Sequence, residues 1–370
     1  MKPADVIFYN RSMNRKLCPW IFSAFLLILS FSEWFFMPRY PAFFFPWYRH
    51  ISKRIMGALS FLFSFIRYSV WDVGAVILVL GFFAALAVCI RRKRGFLTLF
   101  SRTLLVISIL LFTAMQGWLG NHYAPSLSTY LGLEVRQYSI DELYAAASHY
   151  LREASDLAAL IERDADGHVQ PKDFYAIARK AGSSYQTLQE TYPVLEGSAV
   201  PVKCFSLIGD YLLYNGITGM FMPVTAEASV PRNMPPVPLP FTMCHEASHR
   251  LGIASEQEAN FCAFLACIYS DDAYFRYSGA YSAFVYCWAA LVRADANKAK
   301  VLYNEHRKDI NTALVFLDMK DTHLAYEKYD FPLQEVSDTI NDTYLKSFSH
   351  ESGIQSYGEV TDYLIAWHLH

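Results

Sequence analysis

The sequence has few charged residues. They make up 18% of the 370 residues, whereas 54% are hydrophobic and 16% are aromatic. A soluble domain usually carries about a quarter charged residues. The formal net charge is −2, so the chain has no basic excess with which to bind nucleic acid, and we expect no nucleic-acid partner. The surplus of apolar residues instead predicts a chain that is partly embedded in a lipid bilayer.

The sequence also lacks a C-x-x-C pair, an internal repeat and a low-complexity tract. Its seven cysteines are scattered and mostly lie in apolar helical contexts, which favours buried free thiols over a disulfide framework. Cys244 directly precedes His245. Neighbouring side chains of a helix point to different faces, so we do not expect this thiol to bind a metal ion beside the histidine.

Three long apolar runs lie in the first third of the chain, at 17–36, 73–90 and 103–120. Each has about the 18–20 residues that a helix needs to cross the hydrocarbon of a bilayer. The first run could pass for a signal peptide, but the bulky Trp34-Phe35-Phe36 stands where cleavage needs small residues. We therefore predict a retained membrane anchor with three transmembrane helices over residues 1–120, followed by a domain over residues 121–370.

Basic residues predict the orientation of this anchor. The run Arg91-Arg92-Lys93-Arg94 joins the second and third spans, and four further basic residues precede the first span. Loops rich in lysine and arginine stay on the cytoplasmic side of a membrane. Both basic clusters are then on the cytoplasmic side, and the domain that follows the third span is on the outer side of the membrane.

Segment 39–70 leaves a second topology open. It carries five basic residues, the run Phe43-Phe44-Phe45, Trp47 and an apolar stretch over 56–66. If the segment lies on the membrane surface as an amphipathic or re-entrant element, three spans remain and the domain is outside. If it crosses the membrane, the spans number four and the domain turns inward.

The residues that point to chemistry form one pentapeptide, His245-Glu246-Ala247-Ser248-His249, which has the pattern H-E-x-x-H. On a helix the two histidines lie one turn apart on the same face, so both imidazoles can reach one metal ion. The glutamate then lies beside the water bound to that ion. The other interpretation is a helix with solvated histidines, which the apolar neighbours of the motif disfavour. The pattern predicts a zinc site for hydrolysis of a peptide bond, with Glu246 as the general base.

The flanks of the motif predict the bounds of its helix. Proline-rich residues 235–240 precede it, and no helix interior tolerates such a run. Thr242 is therefore the expected N-cap. The helix should continue to about Leu251 and end before Gly252, a residue type that commonly follows a helix C-terminus.

A third ligand is expected in the segment that follows. Ser255 resembles the N-cap of a second helix, with Glu258 at the capping-box position three residues later. Glu256, in the first turn, is then free to turn toward the metal, and Glu258 is the alternative ligand. Asn260 lies one turn after Glu256, where its side chain could bind the far nitrogen of a ligand histidine.

The two segments together resemble the gluzincin branch of the zincin metallopeptidases. In that branch the third ligand lies in a Glu-x-x-(Ala/Ser)-Asp pattern, which this chain matches as Glu256-Gln257-Glu258-Ala259-Asn260, with Asn in place of Asp. The resemblance implies Zn²⁺ bound by His245, His249 and Glu256, with Glu246 as general base. The spacing to Glu256 is short for a gluzincin and closer to the metzincin pattern, but serine, a poor zinc ligand, stands at the third metzincin position.

A larger part of the chain resembles DUF3810, a family of bacterial membrane proteins. The resemblance rests on the several spans, on His-Glu-x-x-His-x-x-Gly-Ile, on Glu-x-Glu-Ala-Asn-Phe and on Arg276-Tyr277-Ser278-Gly279. It implies a multi-pass protein of a bacterial cell membrane with a metallopeptidase-like domain, and it names no substrate.

The remaining pattern predicts a mainly α protein, with transmembrane helices followed by a mostly α domain with a small sheet. The resemblance implies that this domain is a zincin-like α+β domain. Apolar residues alternate over 218–230, which favours a strand, although a simple loop or hairpin fits equally well. The resemblance to zincins implies that such a strand before the metal helix pairs with an extended substrate. The expected helices of the domain are 139–163, 171–191, 203–214, 256–269, 278–294, 296–316, 322–347 and 357–370.

Two functions remain open at this stage. The first is a membrane-anchored zinc peptidase that acts on a peptide or protein at the bilayer, with Arg276, Tyr277 and Tyr281 as candidate donors to the oxyanion. The second is a membrane sensor or scaffold that keeps a zincin fold without hydrolysis. A transporter is disfavoured because the spans carry almost no polar residues.

Overall fold

The structure of the chain, a computed structural model, describes residues 3–329 and 356–370. The α-helices are α1 Pro3–Phe36, α2 Pro41–Phe63, α3 Val70–Arg92, α4 Phe96–Gly117, α5 Leu127–Leu131, α6 Ile140–Ala158, α7 Phe174–Ser183, α8 Gly209–Leu213, α9 Leu239–Arg250, α10 Glu256–Ile268, α11 Ala273–Ala294, α12 Ala296–His306, α13 Ile310–Glu327 and α14 Ser356–Leu369. The strands are β1 Lys203–Cys204, β2 Met220–Met222 and β3 Glu227–Val230. The mainly α fold with a small sheet is confirmed.

Three helices are long and apolar enough to cross a membrane, at Leu17–Phe36, Val70–Arg92 and Phe96–Gly117. Their positions in the described residues coincide with the three predicted spans, and the crossing of a membrane by each helix stays a prediction. The third helix begins and ends a few residues earlier than the hydropathy pattern suggested. Gly95, with a φ of 88°, starts it directly after the basic loop, and left-handed backbone of this kind suits glycine.

The helices α1 and α4 both run toward the domain, and α3 runs away from it. Met37, just after α1, packs with Phe45 and Tyr48 of α2. The Tyr48 hydroxyl donates to Met115 O, 2.8 Å away near the end of α4, and accepts a bond of 3.0 Å from Gly120 N. The basic loop between α3 and α4 therefore lies at the end of the anchor remote from the domain.

The first turn of α3 is joined to the sheet of the domain. The carboxylate of buried Glu227, in β3, accepts bonds of 2.9 and 2.8 Å from the backbone N–H groups of Val70 and Trp71. A carboxylate at this position satisfies N–H groups that have no partner within the helix and interacts favourably with the helix dipole. Lys203 of β1 forms an ion pair with the same carboxylate, so the charge of Glu227 is balanced inside the protein.

The small sheet has the order β1-β3-β2, with β1 parallel and β2 antiparallel to β3. The predicted strand over 218–230 is a hairpin, because the chain turns between β2 and β3 with Ala226 at a φ of 53°. A helix over 203–214 was wrong, since Lys203 and Cys204 pair with β3 and only Gly209–Leu213 is helical. The alternation that suggested one strand spans two short strands of the hairpin.

Several predicted helices differ in length. The capping box of Ser139 and Glu142 starts α6 as expected, but α6 ends at Ala158. The predicted helix 171–191 covers only Phe174–Ser183 before turns follow. The prediction of one helix over 296–316 was wrong, because Asp309 caps a new helix, α13, by accepting a bond from Thr312 N. Residues 330–347 of the predicted helix 322–347 lie outside the described residues.

The core of the domain forms around α11, which packs against α6, α10 and α14. Arg163, after α6, forms two bonds of 2.9 and 2.8 Å with the carboxylate of Asp318 in α13. Tyr277 of α11 donates to the same carboxylate, which is almost completely buried. All seven cysteines are free, and the five beyond residue 200 are buried, as the apolar context predicted.

Candidate metal centre

The helix that carries the H-E-x-x-H motif is α9, which lies against β3 and β2. It begins at Leu239 with Pro238 as N-cap, so the prediction of Thr242 as N-cap was wrong. Pro240 lies in the first turn, where a missing N–H group costs nothing because these groups have no partner within the helix. The predicted C-terminus is confirmed: the helix ends at Arg250, and Gly252 follows with a φ of 87°.

Three donor atoms from α9 and α10 converge on one point. The Nε2 atoms of His245 and His249 are 3.1 Å apart. Oε2 of Glu256, the first residue of α10, lies 3.1 Å from Nε2 of His245 and 3.7 Å from Nε2 of His249. Two donors bound to one tetrahedral zinc ion at about 2.0–2.2 Å lie roughly 3.3–3.5 Å apart. The three side chains therefore fit a metal ion of this size.

The far nitrogen of each histidine has an acceptor, which fixes the ring. Nδ1 of His245 donates to Oδ1 of Asn260, 2.8 Å away, and Nδ1 of His249 donates to the carbonyl oxygen of Ile253, 2.6 Å away. Both acceptors lack a proton to give, so each Nδ1 carries a hydrogen, and Nε2 is the nitrogen of each ring that faces the gap and would bind a metal ion in place of a proton. Oδ1 of Asn260 also accepts a bond of 3.1 Å from the hydroxyl of Tyr286.

Glu246 is buried beside the converging donors and next to the start of β2. A Cβ atom built on Gly219 would lie 2.3 Å from Oε1 of Glu246. Glycine at this position therefore leaves the space that the carboxylate occupies. Burial raises the pKa of Glu246 to about 7, although the charges of the two histidines act in the opposite direction.

The charges of the cluster attract one another. Burial alone would lower the pKa of His249, but the neighbouring Glu256 carboxylate raises it to about 9. Burial would raise the pKa of Glu256, and the two histidines outweigh it and hold that pKa well below its usual range. His249 and Glu256 thus stabilise each other's charged forms when no cation is bound. A cation that binds to the cluster would take the place of the proton on His249.

Glu258 has other partners. Its Oε1 accepts bonds of 2.7 Å from Leu127 N, 3.2 Å from the Ser126 hydroxyl and 3.0 Å from the Tyr363 hydroxyl. The predicted capping box with Ser255 is therefore wrong, and the Ser255 side chain forms no cap. The carboxylate of Glu258 ties the segment after α4 to α14, and it is not among the three donors that converge.

The structure does not bring the three candidate oxyanion donors to the cluster. Arg276 donates to the carbonyl oxygen of Ser270, 3.0 Å away. Tyr277 donates to Asp318, and the hydroxyl of Tyr281 lies 3.2 Å from that of Thr322. The sequence placed these residues near the ligand helix, but Arg276 is engaged at the turn before α11, and the two tyrosines are engaged with α13.

Two aromatic residues near the cluster were missed in the sequence. Tyr286 binds Asn260, as described above. Trp118, directly after α4, donates from Nε1 to the carbonyl oxygen of His249, 2.8 Å away. Its ring meets the His249 ring edge to face at 6.0 Å between centroids and lies 5.5 Å from the ring of Phe221 in β2. No local motif marks a tryptophan at the end of an apolar span as a neighbour of a residue that lies 131 positions later.

Comparison with known proteins gives one finding. Neither the curated proteins nor the solved structures contain a match to this chain. The model of the family described as "Protein of unknown function (DUF3810)" matches residues 47–365, from within α2 to within α14. Because the match covers most of the chain and includes every residue of the candidate centre, this chain belongs to the DUF3810 family.

Proposed function

We propose that the chain is a membrane-anchored zinc-dependent peptidase. The observation that carries this proposal is the convergence of two imidazole nitrogens and one carboxylate oxygen from His245, His249 and Glu256, all within 4.8 Å of one another. Three protein ligands leave a fourth position of a tetrahedral ion open, as in catalytic rather than structural zinc sites. Glu246 adds a carboxylate that a structural site does not need.

The chain's own residues supply the remaining chemistry. A bound zinc ion would lower the pKa of water and polarise the scissile carbonyl group. Glu246 would accept the proton of the attacking water and pass it to the leaving amine. Asn260 and the carbonyl oxygen of Ile253 would hold the two imidazoles in the tautomer that binds metal through Nε2.

The edge of the sheet supports a peptide as the substrate. In the order β1-β3-β2, one side of β2 is not paired with another described strand. An extended peptide that pairs with this side would add a strand to the sheet and pass the residue pair Gly219 and Glu246. Backbone pairing of this kind would place a peptide bond of the substrate beside the proposed zinc site without requiring a particular side chain in the substrate.

The alternative, a membrane sensor or scaffold without hydrolysis, is favoured by one contact. The hydrogen bond from Trp118 to His249 joins the end of α4 directly to a proposed ligand, so a change in the anchor could alter metal binding. The intact Glu246 favours the peptidase, and the experiment below separates the two functions.

The basic loop of the anchor predicts the side of the membrane on which the proposed peptidase domain lies. The loop with Arg91-Arg92-Lys93-Arg94 lies at the end remote from the domain, so the positive-inside rule assigns the domain to the outer side of a bacterial cell membrane. The peptidase would then act on a peptide or protein outside the cytoplasm, close to the bilayer.

The test compares cells that express the wild type, Glu246→Gln and Glu190→Gln. Protein termini are profiled by mass spectrometry, and zinc is measured in the purified full chains. We expect cleavage products in the wild type and in Glu190→Gln, whose carboxylate is exposed, and none in Glu246→Gln, with zinc bound in all three. Identical termini in the wild type and Glu246→Gln would favour the sensor or scaffold, and absence of zinc from all three would reject the zinc peptidase.

A further inference from the structure

The helix α2 does not span the anchor from end to end. It follows the domain-side end of α1 and leads into the domain-side end of α3, so both of its ends lie near the domain. One face, with Phe45, Tyr48, Ser52, Met56 and Ser60, is buried. The Ser52 hydroxyl donates to Gly117 O, 2.5 Å away, so this face packs across the end of α4. The helix therefore lies beside the point where the spans enter the domain.

The opposite face of α2 and the turn after it carry large apolar side chains. The exposed fractions are 71% for Phe43, 46% for Trp47, 40% for Ile51, 65% for Phe61 and 78% for Phe65. A soluble surface rarely presents so many large apolar side chains on one face. Arg54 is exposed on the same face, and a long basic side chain can reach the head groups from an apolar surface. The stripe continues the exposed apolar surface of α1, with which α2 is joined by a short turn, so the bilayer that surrounds α1 is its natural cover.

Between these two faces α2 has a basic edge. Arg49 and Lys53 are four residues apart and therefore lie on one side of the helix. The Arg49 guanidinium donates to Val194 O at 2.9 Å, and the Lys53 amine donates to the same oxygen at 3.1 Å and to Glu196 O at 2.5 Å. Both are held by backbone carbonyl groups. Neither forms an ion pair with a carboxylate of the described residues.

A groove of about 860 Å³ opens along this edge. The residues that line it include Arg49, His50, Lys53, Tyr130, Tyr192 and Glu196. The pKa of Lys53 is lowered to about 8, because burial and the charge of Arg49 lower it by more than the nearby Glu196 raises it. Two cations held close together in a partly buried groove are stabilised by a bound anion.

The position of the groove identifies the anion. An amphipathic helix that lies in the membrane plane buries its apolar face at the boundary of head groups and acyl chains, so its basic edge is at the depth of the lipid phosphates. We infer that the groove between α2 and residues 192–196 binds the head-group phosphate of an anionic phospholipid in the leaflet that faces the domain. The apolar stripe then contacts the acyl chains, and α2 fixes the domain to the bilayer surface.

The test uses the full chain in phosphatidylcholine nanodiscs that contain a small share of phosphatidylglycerol with a photoreactive diazirine on its head group. Crosslinked peptides are mapped by mass spectrometry. We expect labelling of α2 and of residues 192–196. The double variant Arg49→Gln with Lys53→Gln should lose about fivefold in groove labelling for each cation removed.

Two controls separate charge from folding. The exchange Arg49→Lys with Lys53→Arg keeps both charges and should keep groove labelling. Labelling of the loop at Arg91-Arg92-Lys93-Arg94 should stay unchanged in the double glutamine variant, which shows that the anchor is intact.

Three outcomes would overturn the inference. The first is equal groove labelling by a phosphatidylcholine probe with the same diazirine. The second is undiminished labelling in the double glutamine variant. The third is complete displacement of the label by inorganic phosphate at millimolar concentration, which would assign the groove to a free anion. Failure of the lipid-binding inference would leave the proposed zinc site unaffected, because no residue of the groove belongs to that site.

Discussion

Two glutamates of α10 that are two residues apart have different surroundings. Glu256 faces the imidazoles of His245 and His249, whereas Glu258 accepts bonds from Leu127 and Tyr363. On a helix, residues two apart do not share a face, so the backbone itself assigns one carboxylate to the cluster and the other to the segment after α4. The sequence alone favoured Glu256 and kept Glu258 as the alternative ligand.

The different surroundings of Glu256 and Glu258 predict how the loss of each carboxylate changes the affinity of the chain for zinc. Glu256→Gln should lose stoichiometric zinc because amide oxygen is a weak substitute for a carboxylate ligand. Asn260→Ala should weaken zinc affinity by about 10–100-fold, since it removes the acceptor that orients His245. Glu258→Gln is the matched control and should keep affinity. A chelator competition with the purified full chain measures all three, and loss of zinc in Glu258→Gln but not in Glu256→Gln would reverse the assignment.

The close approach of Gly219 to Glu246 leads to a second prediction at this scale. In Gly219→Ala the new Cβ would meet the carboxylate and displace it from its place beside the donors. Because a displacement near 1 Å can cost about 100-fold in rate, cleavage should fall by about that factor while zinc content stays constant. Gly57→Ala is the control, since no atom lies within 4 Å of the added Cβ there. Unchanged cleavage in Gly219→Ala would contradict the role of Glu246.

Among the elements, the sequence predicted those whose signals are local. Each of these signals is contained in one short stretch of sequence. Examples are the capping box at Ser139, the glycine after α9 and the apolar runs of the spans. The strand β1 was missed because Lys203 is charged, and its burial depends on an ion pair with Glu227, 24 positions later in the chain. A similar long-range contact joins Trp118 to the candidate metal centre. The pentapeptide and Glu256 could be chosen from spacing, whereas Tyr286 and the partners of Glu258 follow only from the packing of helices.

The contact between α6, α11 and α13 depends on a buried ion pair and gives a stability prediction. Asp318→Asn leaves the Arg163 charge buried without its carboxylate, and a change of this kind typically costs about 3–5 kcal/mol. The double variant Arg163→Met with Asp318→Leu removes both charges and should recover much of that loss. Thermal unfolding of the full chain in detergent compares them. Equal stability of the wild type and Asp318→Asn would show that the pair does not stabilise the fold.

Over the whole molecule, the membrane anchor and the domain share their contacts. Glu227 of β3 caps α3, and Trp118 after α4 binds the carbonyl of His249. The start of α3 is therefore attached to the sheet, and the end of α4 is attached to α9. The division at residue 120, drawn from hydropathy, separates sequence segments, but Met56 and Trp118 belong to the same hydrophobic cluster as the interior of the domain.

The orientation of the molecule can be measured with single cysteines. Cys18 and Cys89, the two cysteines that are not buried, are replaced by serine. Cysteine is introduced at Leu160 in the domain or at Lys93 in the basic loop, both of which are exposed. A membrane-impermeant thiol reagent should label Leu160→Cys in intact spheroplasts and Lys93→Cys only after permeabilisation. The reverse pattern would place the domain in the cytoplasm.

The central claim is that His245, His249 and Glu256 bind a zinc ion. X-ray absorption at the zinc edge of the purified full chain tests it most directly. The claim predicts one zinc per chain, with two imidazole nitrogens and oxygen donors at about 2.0–2.2 Å and no sulfur. A sulfur neighbour at about 2.3 Å, as thiolate ligands such as Cys244 would give, or a chain that binds no zinc when the metal is supplied, would contradict it.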